Sequence, residues 1–422
     1  MKRLIVNATY LRGANLDWDK GPLLIEDGVL KTIGINECEK LMSEADEVID
    51  ANGWIGIPAF ADLHVHFREP GFEVKETLET GLKAAAKGGF SLVAAMPNTK
   101  PPLDTCERIE ALMAKAKGLS PVEFLQFSAV TLEQKGDTVV DVEGMAAKNI
   151  KLFSEDGREV QSPERFKEAL LRVEQVGGLV VTHCEDHDLT AQYKDGPYPP
   201  EGEWNMVKRD IQLAAETNTR LHLAHLSTRE SIELVRRAKA EGVKVTSEVA
   251  PHHLLLDADR VSFSTAFYKV NPPLRNARHI AALIEGIKDG TVDMIASDHA
   301  PHEIESKHCP YGVGSYGFSS LEYSFSAAHT ALRANGISLR TLVKLMSFAP
   351  RNLIGREENV IENQRPADLV FVNLDEKLTI QEGDLVSKGK NCPYIGHELT
   401  GAVKCLILGD QILYRSGDEN VS

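Results

Sequence analysis

Between positions 56 and 355 the chain alternates short apolar runs with helical patterns, and this repetition constrains the fold most. The runs at 59–66, 91–96, 123–129, 149–153, 179–183, 220–225, 244–249 and 293–297 read as strands. Helical patterns lie between them, among them 75–87, 163–176, 229–240 and 278–288. In the second, Ser162 can cap the helix and Pro163 takes its first position. Strand–helix alternation predicts a parallel sheet, and eight such strands predict a (β/α)8 TIM-type barrel. A doubly wound open sheet is the alternative, but no Gly-x-Gly-x-x-Gly follows the first strand.

The two ends read differently from the middle. Leu4-Ile5-Val6, Leu23-Leu24-Ile25, 29–33 and Glu47-Val48-Ile49 are short strands, with Asp27-Gly28 as a hairpin turn. After Pro366, 367–372, 403–408 and 411–414 repeat that style, with a turn at Gly409-Asp410. Both ends therefore build one small β domain, expected over 1–55 and 356–422, around a barrel at 56–355. At 422 residues and 42% hydrophobic, the chain can bury both cores.

A barrel places its chemistry just past the strand ends. His64 and His66 end the first strand, and Pro97-Asn98 follows the second. Glu155-Asp156 follows the fourth, His183 ends the fifth, His225 ends the sixth, and Asp298 follows the eighth. Residues i and i+2 of a strand share a face, so His64 and His66 aim at one point. An isolated His-x-His is as well explained by one structural hydrogen bond and one solvent-facing ring. Histidines and aspartates gathered at successive strand ends are not, because buried polar groups need partners. His64, His66 and Asp298 can hold one metal, His183 and His225 a second, with a carboxylate bridging. Two metals would bring a shared water near neutrality. By strand register His222 is expected on the face opposite His225. His252-His253 sits at a strand end near the site, while His187, His279, His308, His329 and His397 read as surface or packing residues.

Net charge is −15, which makes nucleic acid and anionic membranes poor partners. The six cysteines form no Cys-x-x-Cys pair, which fits a reduced, cytoplasmic protein. The apolar run at the N-terminus breaks at Asn7, too early for a signal. No segment approaches the roughly 18 apolar residues of a membrane span.

The stretch from Asp62-Leu63-His64-Val65-His66 through Phe67-Arg68-Glu69-Pro70-Gly71 resembles the signature of the dihydroorotases, in the amidohydrolase superfamily. Ala95-Met96-Pro97-Asn98-Thr99, Ala224-His225-Leu226-Ser227-Thr228, Asn271-Pro272-Pro273-Leu274-Arg275 and Ser297-Asp298-His299-Ala300-Pro301-His302 match it too, most like the bacterial class I enzymes. The resemblance runs through the barrel into the C-terminal strands. It implies interconversion of N-carbamoyl-L-aspartate and dihydroorotate in pyrimidine synthesis, with Zn2+, two per subunit. It implies a metal-binding barrel with a small β-sandwich from both ends. By match, His64, His66, Asp156, His183, His225 and Asp298 are metal ligands, and Asp298 is also the proton-transferring residue. Arg68, Asn98, Asn271, His302, Tyr316 and Gly317 match substrate-contacting positions. Arg68 offers a planar fork suited to a carboxylate. Its competing assignment is a surface ion pair with Glu69 or Glu73.

Three departures stand out. The bridging motif reads Ser154-Glu155-Asp156-Gly157 where the family has two aspartates before glycine, and Pro58-Ala59 replaces Pro-Gly. The segment between His183 and His225 looks shortened. Lys151 is a rival bridge, because many relatives use a carboxylated lysine near such a place. Two other functions compete: a related cyclic amidase of the dihydropyrimidinase or allantoinase type, and a non-catalytic scaffold of aspartate transcarbamoylase. The scaffold should have lost ligands, and none is missing. The expected partners are the small-molecule substrate, a second copy in a homodimer and, as a further candidate, aspartate transcarbamoylase.

Overall fold

The computed structural model describes residues 1–418. The middle of the chain is a barrel of eight strand positions: Phe60–Val65, Phe90–Ala95, Glu123–Gln126 with Ser128–Ala129, Leu152–Ser154, Leu179–Thr182, Leu221–Leu223, Val245–Val249 and Met294–Ile295. Neighbours pair in parallel. The ring closes where His66 N–H donates to the His299 carbonyl at 2.7 Å, beside a Val65–His299 bridge. Several strands are shorter than their apolar runs, because the chain turns early to deliver its polar residues. The sixth stops at Leu223 and the eighth at Ile295, ahead of His225 and Asp298.

The helices between strands follow from their patterning. Arg229–Ala240 is typical: the Thr228 hydroxyl accepts from Ser231 N–H, and Ile232, Val235 and Ala238 are buried. Burying each of the two larger side chains contributes about 1.5–3 kcal/mol. Thr228 thus starts the helix, and His225 lies in the short turn just before it. Helix Pro163–Gln175 begins as expected, with the Ser162 hydroxyl accepting from Arg165 N–H.

The termini join in a β-sandwich. One sheet holds Ile55–Pro58, Thr9–Arg12 and Asp17–Lys20 beside Asp368–Thr379, Glu398–Leu408 and Gln411–Arg415. The other is made of Lys2–Val6, Leu23–Glu26, Val29–Thr32 and Glu47–Asp50. Ile5, Ile25, Ile49, Phe371 and Cys405 fill the core they share. The apolar run before His64 turns out to serve both units. Ile55–Pro58 pairs antiparallel with Asp368–Thr379, and Phe60–Val65 then enters the barrel. Strands Thr9–Arg12 and Asp17–Lys20 escaped the sequence reading, because the second is largely exposed and carries no apolar face.

Candidate metal centre and substrate cavity

Asp156 is the hub of the strand-end cluster. Its carboxylate oxygens lie 3.4 Å from His64 Nε2, 3.3 Å from His66 Nε2, 3.0 Å from His183 Nδ1 and 3.4 Å from His225 Nε2. Asp298 Oδ1 stands 3.6 Å from His64 Nε2 and 3.3 Å from His66 Nε2. All six residues are buried. Two overlapping sets, His64/His66/Asp298 and His64/Asp156/His225, each gather their ligand atoms within 4.8 Å of one another.

Backbone strain concentrates here. Arg68, His225 and Asp298 hold positive φ of 60°, 34° and 47° without being glycine. Each such conformation costs about 1–3 kcal/mol and persists only where surroundings enforce it. At His225 the consequence is visible. The expectation for His222 is overturned: it faces the barrel interior, with Nδ1 2.7 Å from Thr246 Oγ1 and Nε2 3.1 Å from Glu248 Oε2. Strict alternation would have sent His225 outward. The strand ends at Leu223, and the left-handed turn at His225 swings its ring back in.

Two carboxylates missed in the sequence orient the ligands. Glu248 Oε1 lies 2.5 Å from His64 Nδ1, and Glu185 Oε2 lies 3.1 Å from His183 Nε2. Each fixes a tautomer that presents the other ring nitrogen to the cluster. Burial resists ionisation of Glu248, but His64 and His222 hold its carboxyl at about 2. The signals were there: Glu185 sits two residues past His183, and Glu248 is an acid inside an otherwise buried strand.

The donor set fits divalent cations. His64 Nε2 is buried and has no hydrogen-bond partner, although it points at two carboxylates. Such an orphan is costly unless something else binds it. Burial opposes charge on His183 and Asp156, yet Asp156 lifts the His183 imidazole to about 10. The neighbouring His64 and His183 charges in turn hold Asp156 well below the usual carboxylate range. Protein groups alone therefore need protons to coexist there, and a cation could take the place of those protons. Nitrogen and carboxylate donors in this mixture suit zinc-like metals.

Lys151 is remote from this cluster. It is exposed before the start of Leu152–Ser154, among Glu110, Lys148 and Asn149, whereas Asp156 sits among the four histidines. Glu155 also turns away: it accepts from Val130 and Thr131 N–H at 2.9 and 3.0 Å. Only the second acid of Glu155-Asp156 reaches the cluster.

A cavity of about 340 Å³ opens onto the cluster, lined by His66, Asp156, His183, His225 and Asp298. Arg68, Asn98, Asn271, His302, Tyr316 and Gly317 complete its walls. Arg68 makes no ion pair with Glu69 or Glu73; Glu69 instead pairs with Lys115. Arg68 Nε donates to the Pro301 carbonyl at 3.2 Å, and its Nη2 lies 3.0 Å from His302 Nε2. That nitrogen is also 2.7 Å from the Tyr316 carbonyl, so it stands between a guanidinium that can only donate and a carbonyl that can only accept, and a neutral ring satisfies one of them. Burial and the charges of Arg68, Lys75 and Lys307 keep His302 neutral, well below the usual imidazole range. One of those two neighbours is thus left short of a partner, and His302 Nδ1 is buried with none.

Asn98 Oδ1 lies 2.9 Å from His66 Nδ1, and Asn271 Nδ2 donates to Glu185 at 2.8 Å. Tyr198, which nothing in the sequence marked, donates its hydroxyl to Asn271 Oδ1 at 2.7 Å. Arg275, the cation of the Asn-Pro-Pro-Leu-Arg motif, is buried behind the wall and binds the Tyr198 carbonyl and Ser227 Oγ.

The chain was compared with known proteins. The family model described as Dihydro-orotase-like matches residues 53–231. A dihydroorotase of Caldanaerobacter subterraneus subsp. tengcongensis is 39% identical over 428 residues, covering 98% of both chains. One of Bacillus subtilis is 38% identical over 387 residues, covering 89% of this chain and 90% of its own. Among solved structures, an L-hydantoinase (dihydropyrimidinase) from Arthrobacter aurescens superposes with a TM-score of 0.88 at 23% identity, over 99% of this chain and 97% of its own. A D-hydantoinase gives 0.86 at 23% identity over 100% and 96%. At that identity the likeness concerns the fold, a barrel with a sandwich of terminal strands.

Proposed function

Because the chain belongs to the dihydroorotase family of cyclic amidohydrolases, we propose that its buried His/Asp cluster holds two zinc ions. We further propose that the adjoining cavity binds dihydroorotate and N-carbamoyl-L-aspartate. The observation that carries the substrate assignment is Arg68, a half-buried guanidinium in the cavity wall beside the metal cluster, with no carboxylate partner among the described residues. A neutral ring such as dihydrouracil would leave it unpaired, whereas the dihydroorotate carboxylate matches its fork. His302 Nδ1 can accept from a ring N–H, and Asn98 and Asn271 offer amide edges.

Two cations held by the cluster would polarise the ring carbonyl and acidify a shared water. Asp298 supplies the proton path. In ring opening, water oxygen bonds to the ring carbonyl carbon while Asp298 accepts a water proton. The carbon–nitrogen bond then breaks, and Asp298 hands that proton to the leaving nitrogen. The products are a carboxylic acid, which releases the second water proton to solvent and becomes a carboxylate, and a ureido NH2 group. Ring closure runs the same steps in reverse. Burial resists ionisation of Asp298, but the His66 hydrogen bond and the His64 and His225 charges hold it well below the usual range. It therefore starts ionised, as a base must.

Losing a charge-assisted pair in a desolvated site costs about 2–5 kcal/mol. Arg68→Ala should therefore raise KM for dihydroorotate by at least about thirtyfold. Arg68→Lys should recover only part of this, because a point charge replaces a fork. Steady-state kinetics in both directions check it. A KM and kcat both within about twofold of wild type, against a loss of that size, would remove Arg68 from the substrate site.

A further inference from the structure

Lys307 is the least expected charge in the molecule. It is fully buried, 0% exposed, and does not line the cavity. Its ammonium donates to the carbonyls of Lys269 at 2.6 Å, Ser315 at 2.9 Å and Gly317 at 2.8 Å. Three acceptors use all three ammonium protons. Burial pushes the group well below the usual lysine range, and two of the three carbonyls have a second donor, Gly317 N–H on Lys269 and Asn391 Nδ2 on Gly317, so the clamp holds whether the amine is charged or neutral. No carboxylate pairs with Lys307, nor with Lys269 or Arg68, among the described residues. Lys269 stands over the Tyr316 ring at 4.2 Å and donates to the Tyr311 carbonyl. Three basic side chains without a carboxylate partner among the described residues therefore sit at or behind one wall of the metal cavity, in a chain whose net charge is −15.

The clamp also sets the backbone of that wall. Ser315, Tyr316 and Gly317 line the cavity. Gly317 N–H donates to the Lys269 carbonyl at 3.0 Å, and the Gly317 carbonyl takes a second bond from Asn391 Nδ2 at 2.9 Å. Its φ of +129° and a Cβ position 2.4 Å from the Ala300 carbonyl admit only glycine. In one peptide plane the C=O and the next N–H point in opposite directions. Since the Ser315 carbonyl turns back to Lys307, the Tyr316 N–H turns away from it, toward the cavity. Among the described residues no acceptor takes that N–H.

We propose that Lys307 is a positioning residue for substrate: its buried amino group clamps the Lys269, Ser315 and Gly317 carbonyls so that the Tyr316 N–H faces the bound anion. This rests on the anionic substrate proposed above. The segment holding Tyr316 is a loop of 3-10 turns with no sheet to fix it.

The test is kinetic, on metal-loaded full-length enzyme. Lys307→Met keeps the length and removes the donors. It should raise KM for dihydroorotate by about tenfold or more, with kcat within about threefold and metal content unchanged. Lys307→Arg should lie between, because a planar guanidinium cannot reach three diverging carbonyls equally well. An unchanged KM in Lys307→Met, or equal losses of kcat and kcat/KM, overturns the proposal. Should Lys307→Met fail to fold, Lys307→Arg decides: a KM raised at least about threefold at unchanged kcat supports it, and an unmoved KM overturns it. A wild-type enzyme that does not turn over dihydroorotate overturns the substrate assignment together with this inference. A normal wild type with unmoved KM in the variants overturns the inference alone.

Discussion

Asp298→Asn should keep its fold and most of its substrate affinity yet lose turnover by about 10²-fold or more in both directions. The amide matches the carboxylate in size and can still offer an oxygen to a metal. It cannot take a proton from water or give one to the ring nitrogen. Asp298 lies 3.3 Å from His66 Nε2 and faces the cavity, so no other protein carboxylate stands nearer the reacting atoms except the hub Asp156. Asp156 is surrounded by four imidazoles, and as a proposed ligand of both metals it is committed to them. Ring opening and ring closure share one transition state, so both should fall together. Retention of more than about a tenth of the wild-type rate in metal-loaded protein, against that expected loss, would mean that another group moves the proton.

Asp156→Ala should be the most damaging change to the metal centre. Four histidine nitrogens lie within 3.0 to 3.4 Å of its two oxygens, so its removal leaves them facing each other. His183 Nδ1 is already 2.8 Å from His225 Nε2, a spacing that one shared proton or a cation satisfies but two facing lone pairs do not. We expect the variant to lose at least one metal and about 10²-fold or more in turnover. His183→Ala should remove mainly the metal shared with His225. Lys151→Ala is the control. Lys151 is exposed and away from the cluster, so its loss should leave turnover within about twofold. Metal analysis with steady-state rates on the three variants checks the set, and a Lys151→Ala enzyme as impaired as Asp156→Ala would contradict it.

The parts of this site that the sequence made legible are those that obey a period or a place. His64 and His66 follow the two-residue spacing of a strand, and Val65 between them packs outward in the buried core. Asp298 and His183 fall one step past apolar runs, where barrels put their chemistry. His225 was placed at the site by its strand-end position and again by its motif. Its alternation pointed the other way, and the left-handed turn that corrects it has no glycine to advertise it. Long-range partners left weaker traces. Tyr198 reaches Asn271 across 73 positions, and Glu248 reaches His64 across 184. A lysine such as Lys307 reads as surface in any sequence, because only the folded loop shows that three carbonyls enclose it. The polar strand Asp17–Lys20 was invisible for the opposite reason: its residues pair through backbone while their side chains stay in water.

The most direct test of the two-metal reading measures metal content and dihydroorotate hydrolysis on the same samples. Purified enzyme would be stripped with a chelator and then titrated with zinc, and both quantities followed at each step. The account predicts no turnover in stripped protein, its return with added zinc, and saturation at about two zinc ions per chain. Full activity in stripped protein, or full activity at about one ion with no gain from a second, would contradict it.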